Sequence, residues 1–166
     1  MRSILFVFAV LISVPLISQQ PGKISTGDFA TALGAWKGKL TYLDYSSGKP
    51  YTMPANVIIS VNEKGKGEIV LALIYPDEPK ANGNDTLVIS KNGMELNGAK
   101  LVSKKITSDG SVQIITDKEG TDGNDNKKAL LRHVYTINKN NFSNRKEVRF
   151  AGTDKWILRN EYVFNR

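Results

Sequence analysis

From Trp36 to Phe164 the chain alternates apolar and polar residues with a period of two, and clusters of Gly, Asn, Asp, Ser and Pro interrupt the alternation at short intervals. Successive side chains of a strand point to opposite faces, so this period gives each segment one dry and one wet face. The segments read as Trp36–Tyr45, Tyr51–Val61, Glu68–Tyr75, Thr86–Ser90, Met94–Leu96, Lys100–Ile106, Ser111–Thr116, Lys128–Ile137, Phe142–Phe150 and Lys155–Phe164. Between them lie hairpin-length turns such as Ser46-Ser47-Gly48-Lys49-Pro50 and Ser108-Asp109-Gly110, and longer loops at Pro76–Asp85 and Asp117–Asn126. No helical period falls between the segments, which excludes alternating α/β architectures. Consecutive hairpins predict an up-and-down meander, and a long meander closes on itself to remove its exposed edges. The expected fold is therefore all-β: an antiparallel up-and-down barrel of about 8–10 strands.

The residues before the first strand divide in two. Met1-Arg2-Ser3 carries a positive charge, Ile4–Ile17 is nearly all apolar, and the chain turns polar at Ser18-Gln19-Gln20. That order describes a secretory signal peptide over residues 1–18, with cleavage after Ser18. The apolar run is shorter than the roughly 20 residues that span a bilayer, so no transmembrane anchor is expected. No cysteine follows it, so there is no site for a lipid anchor, and the expected location is secreted or periplasmic. Residues 19–25 read as a flexible leader and residues 26–166 as one barrel domain. Thr26-Gly27-Asp28 can cap a short helical turn through Phe29, Ala30, Ala32 and Leu33, ended by Gly34.

Composition narrows the chemistry. With 0 cysteines, thiol catalysis and Cys-ligated metals are excluded, and the fold must be held by its core alone. The formal charge is +7, but Lys and Arg are scattered among acids instead of forming one basic face, so nucleic acid is not an expected partner. His133 is the 1 histidine. A single His cannot build a multi-His metal site, and no nucleophile motif stands beside it. Haem ligation by His133 has no other haem signature to support it. The acids of Asp117–Asn126 do not follow the spacing of a calcium loop and read as an ordinary hairpin loop. No metal, cofactor or catalytic residue is expected. Asp44 is the one acid assigned an inward position.

Strand parity names the inward sets. They are Trp36, Gly38, Leu40 and Tyr42; Tyr51, Met53, Ala55, Val57, Ile59 and Val61; Ala129, Leu131, His133, Tyr135 and Ile137; and Trp156, Leu158, Asn160, Tyr162 and Phe164. Polar groups on an inward face need partners or a guest. Tyr42, Tyr51, Met53, His133, Tyr135, Asn160 and Tyr162 are therefore the candidate ligand-binding residues.

Gly34-Ala35-Trp36 after a short helical turn, together with the terminal Arg166, resembles the lipocalin-like (calycin) superfamily. Leu40-Thr41-Tyr42-Leu43-Asp44-Tyr45 and Arg159-Asn160-Glu161-Tyr162 are similar to uncharacterised secreted lipocalin-like proteins of Gram-negative bacteria. The resemblance implies that Trp36 plugs the closed end of the barrel under the Arg166 guanidinium, with Gly34, Trp36 and Arg166 structural. Parity independently puts Arg166 on the inner phase of the last strand, at the start of the first.

Three readings of function follow. The first is a secreted or periplasmic binding barrel that holds a small, mostly apolar ligand in an interior cavity of at least roughly 300 Å³. The second is a filled barrel that contacts another envelope protein. The third, an enzyme, has no motif behind it. Oligomeric state is not legible from the sequence.

Overall fold

The computed structural model describes residues 22–62, 64, 65 and 67–166. The signal-peptide reading of residues 1–18 and the first part of the leader lie outside the described residues. Ten antiparallel strands run up and down: β1 Gly34–Asp44, β2 Lys49–Val61, β3 Glu68–Ile74, β4 Gly83–Val88, β5 Glu95–Leu96, β6 Ala99–Ile106, β7 Val112–Asp122, β8 Lys127–Ile137, β9 Asn141–Phe150 and β10 Ile157–Asn165. Their order in the sheet is β4-β3-β2-β1-β10-β9-β8-β7-β6-β5, so the first strand lies beside the last. A single bridge, Ile89 to Leu96, joins the two ends into a nearly closed barrel.

One end is filled. A 3-10 turn, Thr26–Ala32, buries Phe29 and Ala32 against Trp36, Phe142, Phe164, Ile137 and Ile69. Ser25 precedes the turn, and its backbone N–H donates to Asp28 Oδ2 at 2.8 Å. Lys104 Nζ then holds Asp28 Oδ1 at 2.6 Å. Ile24, at the end of the leader, is buried and its N–H donates to the Gly93 carbonyl at 2.8 Å, tying the chain to the barrel before the turn begins.

Trp36 is 2 % exposed and its Nε1–H donates to the Ala32 carbonyl at 2.6 Å. Arg166 Cζ lies 3.9 Å from the indole centroid, and its guanidinium also donates to the Leu33 carbonyl. Gly34, at φ +103, has the Arg166 NH2 group 3.2 Å from where a Cβ would stand. Gly38 is required for a different reason: a Cβ there would lie 2.1 Å from the Val163 carbonyl oxygen, so β1 and β10 approach too closely for any side chain.

Two local expectations are corrected. β7 continues through Asp117–Asp122, and only Gly123–Asn126 turns. The acidic segment is a poor strand former by composition. It pairs, however, with the basic start of β8, where Asp117 faces Arg132 and Asp122 faces Lys127. Arg132 Nε and NH2 both donate to Asp117 at 2.8 Å, a bidentate pair that favours the extended form. In β10 the register slips between Leu158 and Asn160. Arg159 is the extra residue of a bulge, and it reverses the parity of everything before it. Ile157 rather than Trp156 therefore meets the buried Val148, Leu158 is exposed, and Trp156 lies outside between Arg132 and Arg149.

Candidate functional site

The interior changes character along the barrel axis. Above the apolar floor lies a belt of tyrosines and His133, and above that belt a group of charges. Tyr162 and Tyr75 share a hydroxyl–hydroxyl hydrogen bond of 2.7 Å. Burial and that bond both push the Tyr162 hydroxyl up from its ordinary pKa. Tyr135 is 3 % exposed, with its ring stacked on His133 at 6.0 Å and edge-on to Phe29 at 6.4 Å.

The charges meet through the bulge. Asp122 Oδ2 accepts from Lys146 Nζ at 2.5 Å, and its Oδ1 lies 3.3 Å from Arg159 Nε. Arg159 also covers the Tyr45 ring at 4.5 Å and donates to the Leu43 carbonyl. Burial raises the Asp122 carboxyl, but the Lys146 hydrogen bond, the Gly123 N–H and the Lys146 charge outweigh it and hold it below 3.8. Burial and the neighbouring Asp122 push the Tyr45 phenol up to about 12. This group links β1, β7, β9 and β10 at the wide end of the barrel. Asp122, and not Asp44, is the buried inward acid; Asp44 caps the turn after β1 by accepting from the Ser46 N–H at 2.9 Å.

The opening lies in the wall. β7 pairs with β6 only as far as Asp117, and β4 pairs with β3 alone until the Ile89–Leu96 bridge. The short β5–β6 hairpin leaves a gap between β4 and the far half of β7. A partly enclosed recess of about 220 Å³ reaches inward from it, lined by Asp85, Leu87, Leu96, Asn97, Ala99, Lys118, Leu131, His133, Tyr135 and Asn144. A larger hollow of about 800 Å³ lies between the β7–β8 hairpin and the β9–β10 loop, but it is open and no buried polar side chain lines it.

Polar groups in and beside the recess are incompletely partnered. His133 Nδ1 lies 3.3 Å from Asn144 Oδ1. An amide oxygen only accepts, so the tautomer that makes this contact carries its proton on Nδ1 and keeps Nε2 as an acceptor. Burial pushes the His133 pKa below 6.5, reinforced by Lys146 and opposed by Asn144 and Asp85. Burial and the nearby Asp85 raise the Tyr135 phenol, and no hydrogen bond from a described residue acts on it. Thr116, which faces His133 across the ladder, is 1 % exposed with its Oγ1 unpartnered among the described residues.

Of the residues named from sequence, His133 and Tyr135 line the recess together. Asn160 and Tyr162 stand on the same inner face of β10, away from it. Met53 packs in the core with Leu40, and Tyr51 is 51 % exposed at the rim, tilted against Tyr42 at 5.6 Å. Sequence reasoning missed Asp85, Lys118 and Asn144. Lys118 and Asp85 stood in segments read as loops, and Asn144 follows Phe142 in the inward phase of its strand. Among the described residues no group of three or more His, Asp or Glu side chains gathers to hold a metal, and no helix is long and apolar enough to cross a membrane.

No family model matches the sequence, and no curated protein matches it. Among solved structures the chain is similar to "Rv2717c from M. tuberculosis", with a TM-score of 0.48 and 13% identity, covering 84% of this chain and 95% of that one.

Proposed function

We propose that the protein is a non-enzymatic binding barrel, secreted or periplasmic, that holds a small ligand in the recess between β4 and β7. The observation that carries this reading is the Tyr135 side chain, almost wholly buried beside a recess of about 220 Å³ with no hydrogen bond to its hydroxyl from the described residues. The hydroxyl opens onto the recess, so a guest there can take up its hydrogen bond in place of water. Leu87, Leu96, Ala99 and Leu131 supply an apolar wall opposite the polar groups, the usual make-up of a ligand pocket. The recess falls short of the interior cavity of at least roughly 300 Å³ expected from the sequence, so the ligand is small or extends out through the gap.

Native mass spectrometry of the protein purified from its own host tests the reading. A co-purified small molecule, lost on Tyr135→Phe or His133→Ala substitution, is the expected result. Absence of any bound mass, with no rise in thermal stability from a small-molecule extract of that host, counts against it.

A second reading, an envelope protein that contacts a partner through its outer wall, draws on an apolar groove of about 660 Å³ that includes Ala35, Ile58 and Ile74. Ile58 is 47 % exposed there. Crosslinking in the intact envelope, with Ile58→Lys as the control, separates this reading from the first.

A further inference from the structure

Two opposite charges face the recess without facing each other closely. Asp85, on the inward phase of β4 beside Leu71, and Lys118, on the inward phase of β7 beside Leu131, both line it. Neither forms an ion pair among the described residues. Asp85 Oδ1 accepts from the Thr86 N–H at 2.8 Å, which leaves Oδ2 free. The other charges nearby are already engaged. Lys146 is held by Asp122, while Asp117 and Arg132 pair with each other on the outer face. Burial disfavours the charged form of His133, and the tautomer that donates to Asn144 keeps Nε2 as an acceptor.

We infer that the recess recognises a small zwitterion, a molecule carrying one ammonium and one carboxylate on an apolar body, as a free α-amino acid does. The inference rests on the binding reading above. Asp85 and the His133 Nε2 lone pair receive the ammonium. Lys118, the Asn144 amide N–H and the Tyr135 hydroxyl donate to the carboxylate. Leu87, Leu96 and Leu131 pack on the side chain.

Charge balance decides between this and simpler guests. A lone carboxylate would satisfy Lys118 and leave Asp85 facing a like charge. A lone amine would do the reverse. A zwitterion neutralises both walls and uses donors and acceptors in the numbers present. Size agrees: about 220 Å³ is the room of roughly seven waters at ~30 Å³ each, enough for a molecule of amino-acid size with its end in the gap.

The test is isothermal titration of the full mature chain with four probes: L-leucine, N-acetyl-leucine, leucinamide and N-acetyl-leucinamide. These carry both charges, the carboxylate alone, the ammonium alone, and neither. The expected order has free leucine tightest, with each single-charge probe at least 10-fold weaker and the uncharged probe without measurable binding. Asp85→Asn is expected to erase the preference for leucine over N-acetyl-leucine and to keep that over leucinamide. Lys118→Gln is expected to do the opposite. Both side chains sit at an exposed rim, so both variants are expected to fold, which circular dichroism checks. Equal binding of the four probes, or an unchanged preference in either variant, overturns the inference. If none of the probes binds while native mass spectrometry shows another bound molecule, the zwitterion is wrong and the binding reading stands. If neither experiment shows a ligand, both fall.

Discussion

Replacing Trp36 with Phe removes the indole N–H from the closed end while leaving an aromatic ring in place. The Ala32 carbonyl, which accepts from Trp36 Nε1 at 2.6 Å, then loses its side-chain donor in a buried site. An acceptor left unsatisfied in such a site costs about 1–3 kcal/mol. The smaller ring also vacates space among Phe29, Ala32 and Phe164, at about 0.8 kcal/mol per methylene-sized group removed. The sum is about 2–4 kcal/mol. For a chain of this size 1 kcal/mol shifts Tm by about 2–4 °C, so Trp36→Phe is expected to lower Tm by about 4–16 °C. Arg166→Ala removes a guanidinium 3.9 Å from the same ring. Arg166 is exposed, so this contact is worth about 0.5–1 kcal/mol, and the fall in Tm is expected to be smaller. The double variant is expected to be less damaged than the sum of the two, because the partners touch. Thermal unfolding followed by far-ultraviolet circular dichroism measures all three. Fluorescence adds a check, since Trp36→Phe leaves Trp156 as the remaining indole of the 2 in the chain. A fall in Tm below about 2 °C for Trp36→Phe, or strict additivity in the double variant, would refute closure of the barrel by this pair.

Gly38→Ala is expected to destabilise by about 3 kcal/mol or more, because the new Cβ would meet the Val163 carbonyl at 2.1 Å and Phe164 Cα at 2.8 Å, and both are backbone; urea titration measures the loss. His133 has a folded pKa held below its unfolded 6.5, so the stability gained by keeping it neutral is present above 6.5 and is lost as pH falls through the folded value. His133→Gln is therefore expected to show a shallower fall in Tm than the parent between pH 7 and 5, and parallel curves would contradict the assignment. Asp122→Asn leaves Lys146 and Arg159 without their carboxylate, at about 1–3 kcal/mol after allowance for the partial exposure of the two cations. Because the Asp122 carboxyl is held below 3.8, the parent's advantage over Asp122→Asn is expected to persist above that pH and to vanish as pH falls through the folded value, as acid titration of the two proteins would show.

The local period of two carried the strand count and the meander order, and it placed Trp36, Tyr135, Ile137 and Phe164 inside. Each of these follows from a rule that one strand obeys alone: alternate side chains share a face. The same rule failed at Trp156 and Leu158, because a bulge is a property of the β9–β10 pair and nothing in the spacing of β10 marks Arg159 as the extra residue. Asp117–Asp122 reads as loop from its own composition and becomes strand only through the basic residues of β8. The candidate site depends on such pairings throughout. His133 and Tyr135 were legible as polar groups on an inward face. Asp85, Lys118 and Asn144 join them from three other strands, and the gap beside them exists because the β5–β6 hairpin is too short to fill the wall between β4 and β7. The sequence by itself determined an antiparallel up-and-down meander, since alternation and turns act over a few residues. Tertiary structure decided where that meander is open and which charges meet there, since register and electrostatics join residues far apart in the chain.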